Sequence, residues 1–363
     1  MTVCMGVALL GTVLWRADAH AGDFPESQYP AKVFGGLSGS MVLYDASGGA
    51  LSEARAATIG KDFTDLTKVQ LVQDFSADMT KFFATAQNGG AMPWSVIEFV
   101  TPADFFRARD GGMLEKLDTS VVPLDQMEAG TYDDYGVNVE AYGITLAYNT
   151  TKFPDAATAP KTMEDIFDVA KFPGKRCFFK YPEFGATLES ALLADGVARD
   201  KLYPLDVDRA LKKLDTIKDS IVWWSSGDEA IRLLLSGECN LGIAWSGRVY
   251  SAVKTDKAPL ALTWNNALYS VSVYAIPKGA PNIPAGQAFI SMWIRDLAGQ
   301  KAYVSKITYT TAIKQLNKEG YSPDLDPWIV AGANAKAAIP EDDGYYAKNL
   351  PAIVDKFNRW IAK

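Results

Sequence analysis

Strand and helix signals take turns along this chain, and that order leaves few folds open. Between about residues 40 and 115, MVLYD reads as a buried strand and Leu51 to Leu66 carries helical spacing. KVQLVQDF is then a strand, ADMTKFFATAQNG a helix closed by glycine, and WSVIEFV another strand. TPADFFRARDGGML follows as a helix with Thr101 as N-cap, Pro102 at the first helical position and a glycine stop. A long β-rich run, VNVEAYGITLAYNTTKFP, interrupts the alternation. It resumes with a helix at TMEDIFDV, a strand at RCFFKY, helices at FGATLESALLADG and DVDRALKKLDTI, and a strand at SIVWW. The helix DEAIRLLLSGE leads into the strand that opens GIAWSGRVY. A second β-rich run, ALYSVSVYAIPKGAPN, precedes helices at AGQAFISMWIRDLA and at the C-terminus. Such alternation predicts parallel sheets covered by helices on both faces. Two αβ blocks joined by extended segments predict two lobes, and 363 residues accommodate about two domains.

Residues 1–21 read as a secretory signal peptide. The apolar run Val3–Trp15 is followed by Ala19-His20-Ala21, a small-x-small cleavage pattern. Removing that leader removes the only histidine, His20. A chain without histidine builds neither a Ser-His-Asp nucleophile nor a His-based zinc site. No metal and no cofactor is expected. The formal charge of −7, with no basic stripe, speaks against nucleic acid. No segment after the leader reads as a membrane span. Cys177 and Cys239 each open an apolar run, CFFKY and CNLGIAW. In an exported chain such a pair suggests a disulfide, and two buried thiols are the alternative.

Ligands in open parallel sheets bind outside the carboxyl ends of the strands. Four strand ends therefore form a candidate cleft wall: GIAW before Trp245–Tyr250, MVLYD before ASGGA, IEFV before TPAD, and IVWW before SSGDE. Tyr44, Asp45, Thr101 and Trp224 stand at these ends. Arg248 offers a planar fork suited to a carboxylate or phosphate. Trp245 is a wall residue, and Ser246 with Gly247 permits close backbone approach. Ser47-Gly48-Gly49, between a strand and a helix, reads as an anion-accepting turn. Ser226 and Glu229 match a capping box, which places a second helix N-terminus beside Ser225 and Ser226. Asp228 suits the first turn of that helix. Glu183, just past CFFKYP, is a spare carboxylate for an ammonium group. Plain structural readings stand beside these: an ordinary glycine turn, a surface arginine, and core positions for Tyr44, Phe99 and one of Trp223 and Trp224.

The stretches YGITLAYNTTKF, TMEDIFDVAKFPGKR, SGECNLGIAWSGRVY and SVYAIPKGAPN, in this order, resemble the periplasmic solute-binding proteins of ABC importers, in the group that includes polyamine receptors. The resemblance implies an α/β, two-lobed type II fold, each lobe a mixed, mostly parallel sheet flanked by helices. Ligand is then held between lobes that close by hinge motion. Crossings fall near Val139–Tyr148, Tyr269–Ile276 and residues 310–330. Lobe 1 takes residues 31–138 and about 277–315, and lobe 2 takes 139–276 and about 316–363. The same resemblance implies a periplasmic monomer that is no enzyme. Its partners are a small-molecule ligand and an ABC permease and ATPase complex at the inner membrane.

Polyamine receptors of this group use aromatic walls and several carboxylates, which suit ammonium groups. This sequence departs from them. It has Ala46, Ser47, Gly48 and Gly49 after the first strand, Ser270-Val271-Ser272 where a Trp-x-Asp element belongs, and Asn265 in place of a glutamate. The expected ligand is therefore a small carboxylate or a zwitterionic amine, with Arg248 on its carboxylate, Glu183 on its amine and Ser272 at the crossing. The alternatives are a true polyamine receptor and a receptor for a phosphonate or phosphate ester. From another class comes a carboxylate-pair glycosidase or lyase, for which no motif singles out a pair. Ferric-iron binders of the wider superfamily share paired tyrosines where Trp245 and Ser246 stand here.

Overall fold

The structure is a computed structural model that describes residues 24–75 and 79–363. The segment expected to be a leader, residues 1–21 with His20, lies outside the described residues. The strands are β1 Ser40–Asp45, β2 Gln70–Phe75, β3 Val96–Phe99, β4 Gly136–Asn149, β5 Arg176–Phe179, β6 Ile221–Trp224, β7 Leu241–Trp245, β8 Leu260–Ala275 and β9 Ile339–Pro340. β1 runs parallel to β2 and β3, and β5 runs parallel to β6 and β7. These are the two parallel blocks that the alternation predicts. They are not separate sheets. The strand order β2-β1-β3-β8-β4-β7-β5-β6, with β9 on β8, is one continuous sheet.

The joint is the antiparallel pair β4 and β8. Near its start β4 pairs with the end of β8, Val137 opposite Tyr274. Further along it pairs with β7 on one side and the start of β8 on the other, Leu146 opposite Ile243 and Thr263. The β4–β8 register slips twice, between Asn138 and Glu140 and between Ile144 and Leu146. A third crossing touches β4 through a bridge between Ala141 and Thr310.

Strand residues alternate between two cores in each lobe, as doubly covered strands must. Leu43 packs with Phe63, Phe289 and Trp293 on one face of lobe 1, while Tyr44 packs with Trp94 and Phe99 on the other. In lobe 2, Phe178 joins Leu192, Ile243 and Phe357, while Cys177 and Phe179 join Trp224, Leu234 and Val249. The return to lobe 2 comes later than the sequence reading placed it. Leu316, Leu325 and Ile329 still bury into the lobe 1 core, and Val330 and Ala338 pack on lobe 2.

Two local readings also change. The helix expected over Leu51–Leu66 is broken into Gly49–Arg55 and Lys61–Thr67 by a wide π turn at Ala56–Gly60, where Thr58 leaves helical geometry (φ −120°, ψ −106°). TMEDIFDV forms only a 3₁₀ turn, Met163–Phe167, closed by a reciprocal Thr162–Asp165 capping box. The loop after it is clamped from β5. Arg176 is fully buried and donates to the carbonyls of Ile166 (2.9 Å), Phe172 and Gly174.

Cys177 and Cys239 are disulfide-bonded, 62 positions apart in sequence. Cys177 lies opposite Gly242 of β7, where a side chain would strike the Cys177 Cβ at 2.6 Å. Replacing both cysteines by alanine is expected to cost about 2–5 kcal/mol, because the unfolded chain regains the freedom of a long closed loop. Guanidinium unfolding measures this, and an unchanged midpoint would contradict it. Among the described residues, no helix is long and apolar enough to cross a membrane.

Candidate functional site

A cleft of about 1320 Å³ opens between the lobes. Strand ends line it: Ala46 and Ser47 after β1, Val100 after β3, Tyr181–Phe184 after β5, Ser225–Asp228 after β6, and Trp245 with Gly247 and Arg248 at β7. Glu140 and Tyr142 from β4, Ser272 from β8 and Tyr309 from the third crossing also reach it.

The lobe 2 wall is aromatic. The Trp245 ring stacks on Phe184 (6.4 Å, 30° between planes) and meets Phe179 edge-on at 5.6 Å. Its Nε1 donates to the Phe184 carbonyl at 3.3 Å. Trp224 stands behind this wall. It is fully buried at 5.3 Å from Trp245, so it supports the wall and does not face ligand. Gly227 is required here, since a side chain would meet the Trp245 ring at 2.8 Å and Arg248 Cγ at 3.0 Å.

Arg248 lies in the first turn of the helix Ser246–Thr255. Its Nη1 is 3.3 Å from Asp228 Oδ1, and Asp228 is 83% exposed. An ion pair so open to water is weak and easily exchanged. Ser246 and Gly247 serve the fold. Ser246 is fully buried, and its Oγ accepts from the Gly143 amide of β4 at 3.2 Å. Gly247 admits the third crossing, because a side chain would meet Tyr309 at 2.6 Å and the Ile307 carbonyl at 2.7 Å. Ser226 lines the cleft but caps the helix Gly227–Ser236, accepting from the Glu229 amide at 3.3 Å. Glu229 reaches one residue further back than a capping box requires, to the amide and hydroxyl of Ser225 at 2.8 and 2.9 Å.

On lobe 1 the glycine turn does not cradle an anion. The Ser47 amide and hydroxyl donate to Glu98 (3.3 and 2.8 Å), and the Gly48 amide donates to Asp45 Oδ1 (3.2 Å). Those donors are committed to carboxylates. The positive φ of Gly48 (63°) and Gly49 (57°) explains the glycines as turn residues. Ser47 lines the cleft and Gly48 does not. Tyr44 and Asp45 are fully buried and Thr101 nearly so. Tyr44 is a core residue, edge-on to Trp94 at 4.7 Å.

Asp45 belongs to a buried charge cluster that the sequence did not disclose. Arg55 Nη1 contacts Asp45 at 2.7 Å, while Nη2 contacts Glu98 at 2.7 Å and Glu140 at 2.9 Å. Tyr303 donates a further hydrogen bond to Glu140. Burial pushes the Glu98 carboxyl up, and the charges of Asp45 and Glu140 add to this against Arg55. A faint signal existed: Arg55 is four residues from both Leu51 and Ile59, on the stripe that a helix there must bury.

Glu183 lines the cleft, and among the described residues its Oε1 has no hydrogen-bond partner. Burial and then the Asp104 charge push its carboxyl up to about 8, with the Thr101 hydroxyl opposing. Behind it, Glu341 accepts from the Phe184 amide at 3.1 Å, and burial raises this acid too. Burial likewise raises Asp343 to about 7, against a hydrogen bond from Ser270. These carboxyls hold their protons more tightly folded than unfolded. The stability they confer is full below about pH 4, the ordinary range for free carboxyls, and is lost as pH rises through 7 to 8. The melting temperature of the ligand-free protein is therefore expected to fall by several degrees from pH 6 to pH 9. A rise over that interval in a calorimetric scan would contradict the assignment.

Two lobes that share their crossing strands, with a ligand-sized cleft at the strand ends, define a solute-binding protein. Residues 54–337 match the bacterial extracellular solute-binding proteins, and the chain belongs to that family. It is 31% identical over 323 residues to the gamma-aminobutyric acid-binding protein of Pseudomonas aeruginosa, covering 87% of this chain and 89% of that one. Among solved structures, the Atu4243-GABA receptor is similar at 32% identity and TM-score 0.79, covering 89% and 98%. An ABC transporter substrate-binding protein from Bradyrhizobium japonicum is similar at 32% identity and TM-score 0.82, covering 89% and 100%. The chain is thus a substrate-binding protein of the ABC-transporter type, from a family of extracellular receptors for small solutes.

Proposed function

We propose that this chain is the receptor for a small zwitterionic ω-amino acid of the γ-aminobutyrate type. The carrying observation is that, among the described residues, one cleft wall presents Arg248, whose one ionic partner is water-exposed, and Glu183, whose Oε1 has no hydrogen-bond partner. The Trp245–Phe184 stack gives the short methylene chain an apolar surface. Relatives named for gamma-aminobutyric acid support this reading. Ligand carboxylate takes Asp228's place at Arg248, and Glu183, protonated in the empty cleft, gives up its proton to solvent as it pairs with the ligand ammonium. Contacts from Ser47 and Ser272 across the cleft make the closed form bind better than the open one, which is what shifts the lobes together.

The chain works as a periplasmic monomer exported by the leader at residues 1–21. It hands its ligand unaltered to an inner-membrane permease and ATPase. Its lobes are residues 31–139 with 273–329, and 142–269 with 330–363, joined by the crossing strands. Calorimetry with γ-aminobutyrate, putrescine, spermidine and an aminoalkyl phosphonate tests the reading. γ-Aminobutyrate is expected to bind. Tight putrescine or spermidine binding without any amino-acid binding would replace this reading with a polyamine receptor, and binding of the phosphonate alone with a phosphonate receptor.

A further inference from the structure

Arg55 is remote from the aromatic wall and absent from the cleft lining, yet its neighbours converge on the cleft. It holds Glu140, a cleft residue, directly at 2.9 Å. It holds Glu98, which in turn fixes both the amide and the hydroxyl of Ser47, another cleft residue. It holds Asp45, which fixes the Gly48 amide. One guanidinium thus sets the lobe 1 turn and the floor strand together. The cluster is an inefficient way to stabilise a core. Buried ionic groups lose their hydration, and well-packed apolar residues in their place are often neutral or stabilising. Directional hydrogen bonds on four elements do provide a fixed geometry, which apolar packing does not.

From these contacts we infer that Arg55 is a positioning residue for ligand binding, fixing Ser47 and Glu140 from outside the cleft and fastening the hinge strand β4 to lobe 1. Glu140 lies just past the first register slip of β4, and the second slip follows Ile144. With Glu140 pinned, bending between the lobes is confined to Ala141–Gly143. Gly143 has no room for a side chain, which would meet Trp264 at 2.4 Å. The wide turn at Ala56–Gly60 directly follows Arg55, and such turns recur where a helix must re-aim a functional side chain.

The inference rests on the cleft being the ligand site, and its test separates the two. Hydrogen exchange on full-length protein compares wild type with Arg55→Lys, which keeps the charge and loses the fork. Amides of Ser47, Gly48 and residues 141–143 are expected to exchange at least about tenfold faster, while those of β5 and β7 keep their protection. γ-Aminobutyrate affinity should fall about tenfold or more. In a Ser47→Ala/Glu140→Gln background, Arg55→Lys should add little, because it acts through those two residues. Uniform loosening of both lobes, unchanged exchange at Ser47, or a fully additive loss of affinity would each overturn the inference. If Arg55→Lys fails to fold, Glu98→Gln takes its place and must loosen Ser47 locally. Failure of the wild type to bind γ-aminobutyrate would sink the ligand reading and leave exchange to judge Arg55.

Discussion

Arg248→Ala is expected to weaken γ-aminobutyrate binding by at least about 30-fold, because truncating one partner of a desolvated, charge-assisted pair costs roughly 2–5 kcal/mol. The folded chain should hardly notice the change. In the ligand-free protein Arg248 has one ionic partner among the described residues, the exposed Asp228, and such pairs contribute little to stability. The melting temperature should stay within about 2 °C of wild type. Arg248→Lys should recover only part of the affinity, since a point charge does not reproduce two parallel hydrogen bonds to a carboxylate. Asp228→Ala should preserve or improve binding by removing the competing carboxylate. Isothermal calorimetry on the four proteins reads this pattern. Equal affinity for wild type and Arg248→Ala would remove the guanidinium from the site.

Arg176→Met is expected to have the opposite profile, with stability lost and affinity kept. Arg176 is buried and satisfies three carbonyls of the 166–174 loop. A buried acceptor left without a donor costs about 1–3 kcal/mol. The loop is near the surface and can admit water, so the three terms do not add in full. A total of about 3–5 kcal/mol is expected, a large part of the roughly 5–15 kcal/mol that holds a typical domain together. Denaturant unfolding measures the loss. None of these loop residues lines the cleft, so the folded fraction should bind with unchanged affinity. A loss of unfolding free energy below about 0.5 kcal/mol would show that the clamp is dispensable.

Features with local causes were legible in the sequence, and features with distant causes were not. The alternation of strands and helices was legible because each element carries its own period. Leu43 and Tyr44 are adjacent, and their opposite cores follow from the pleat alone. The fusion of two blocks into one sheet was not legible. It depends on β4 meeting β8, a pairing such as Leu146 with Thr263 that no local pattern announces. The site divides in the same way. Arg248 and Glu183 were visible as charged residues just past strand ends. Ser246, Trp224 and Asp45 stood equally close to strand ends but point away from the cleft, and which way a residue turns there is set by packing. Arg55 was the hardest to see, because its partners Asp45, Glu98 and Glu140 lie 10, 43 and 85 positions away. Glu183 was singled out for its charge. Its empty hydrogen-bonding position is a fact of burial that only the fold reveals.

Val139 packs in the lobe 1 core and Ile144 in the lobe 2 core, five positions apart on the same strand. On β8, Leu268 and Tyr274 divide in the same manner. Melting either lobe therefore pulls two strands out of the other, and the molecule is expected to unfold in one cooperative transition. No cut in the chain liberates a lobe that is complete. A ligand that touches only one wall of the cleft still stabilises the whole, since whatever resists the unravelling of one half resists it for both.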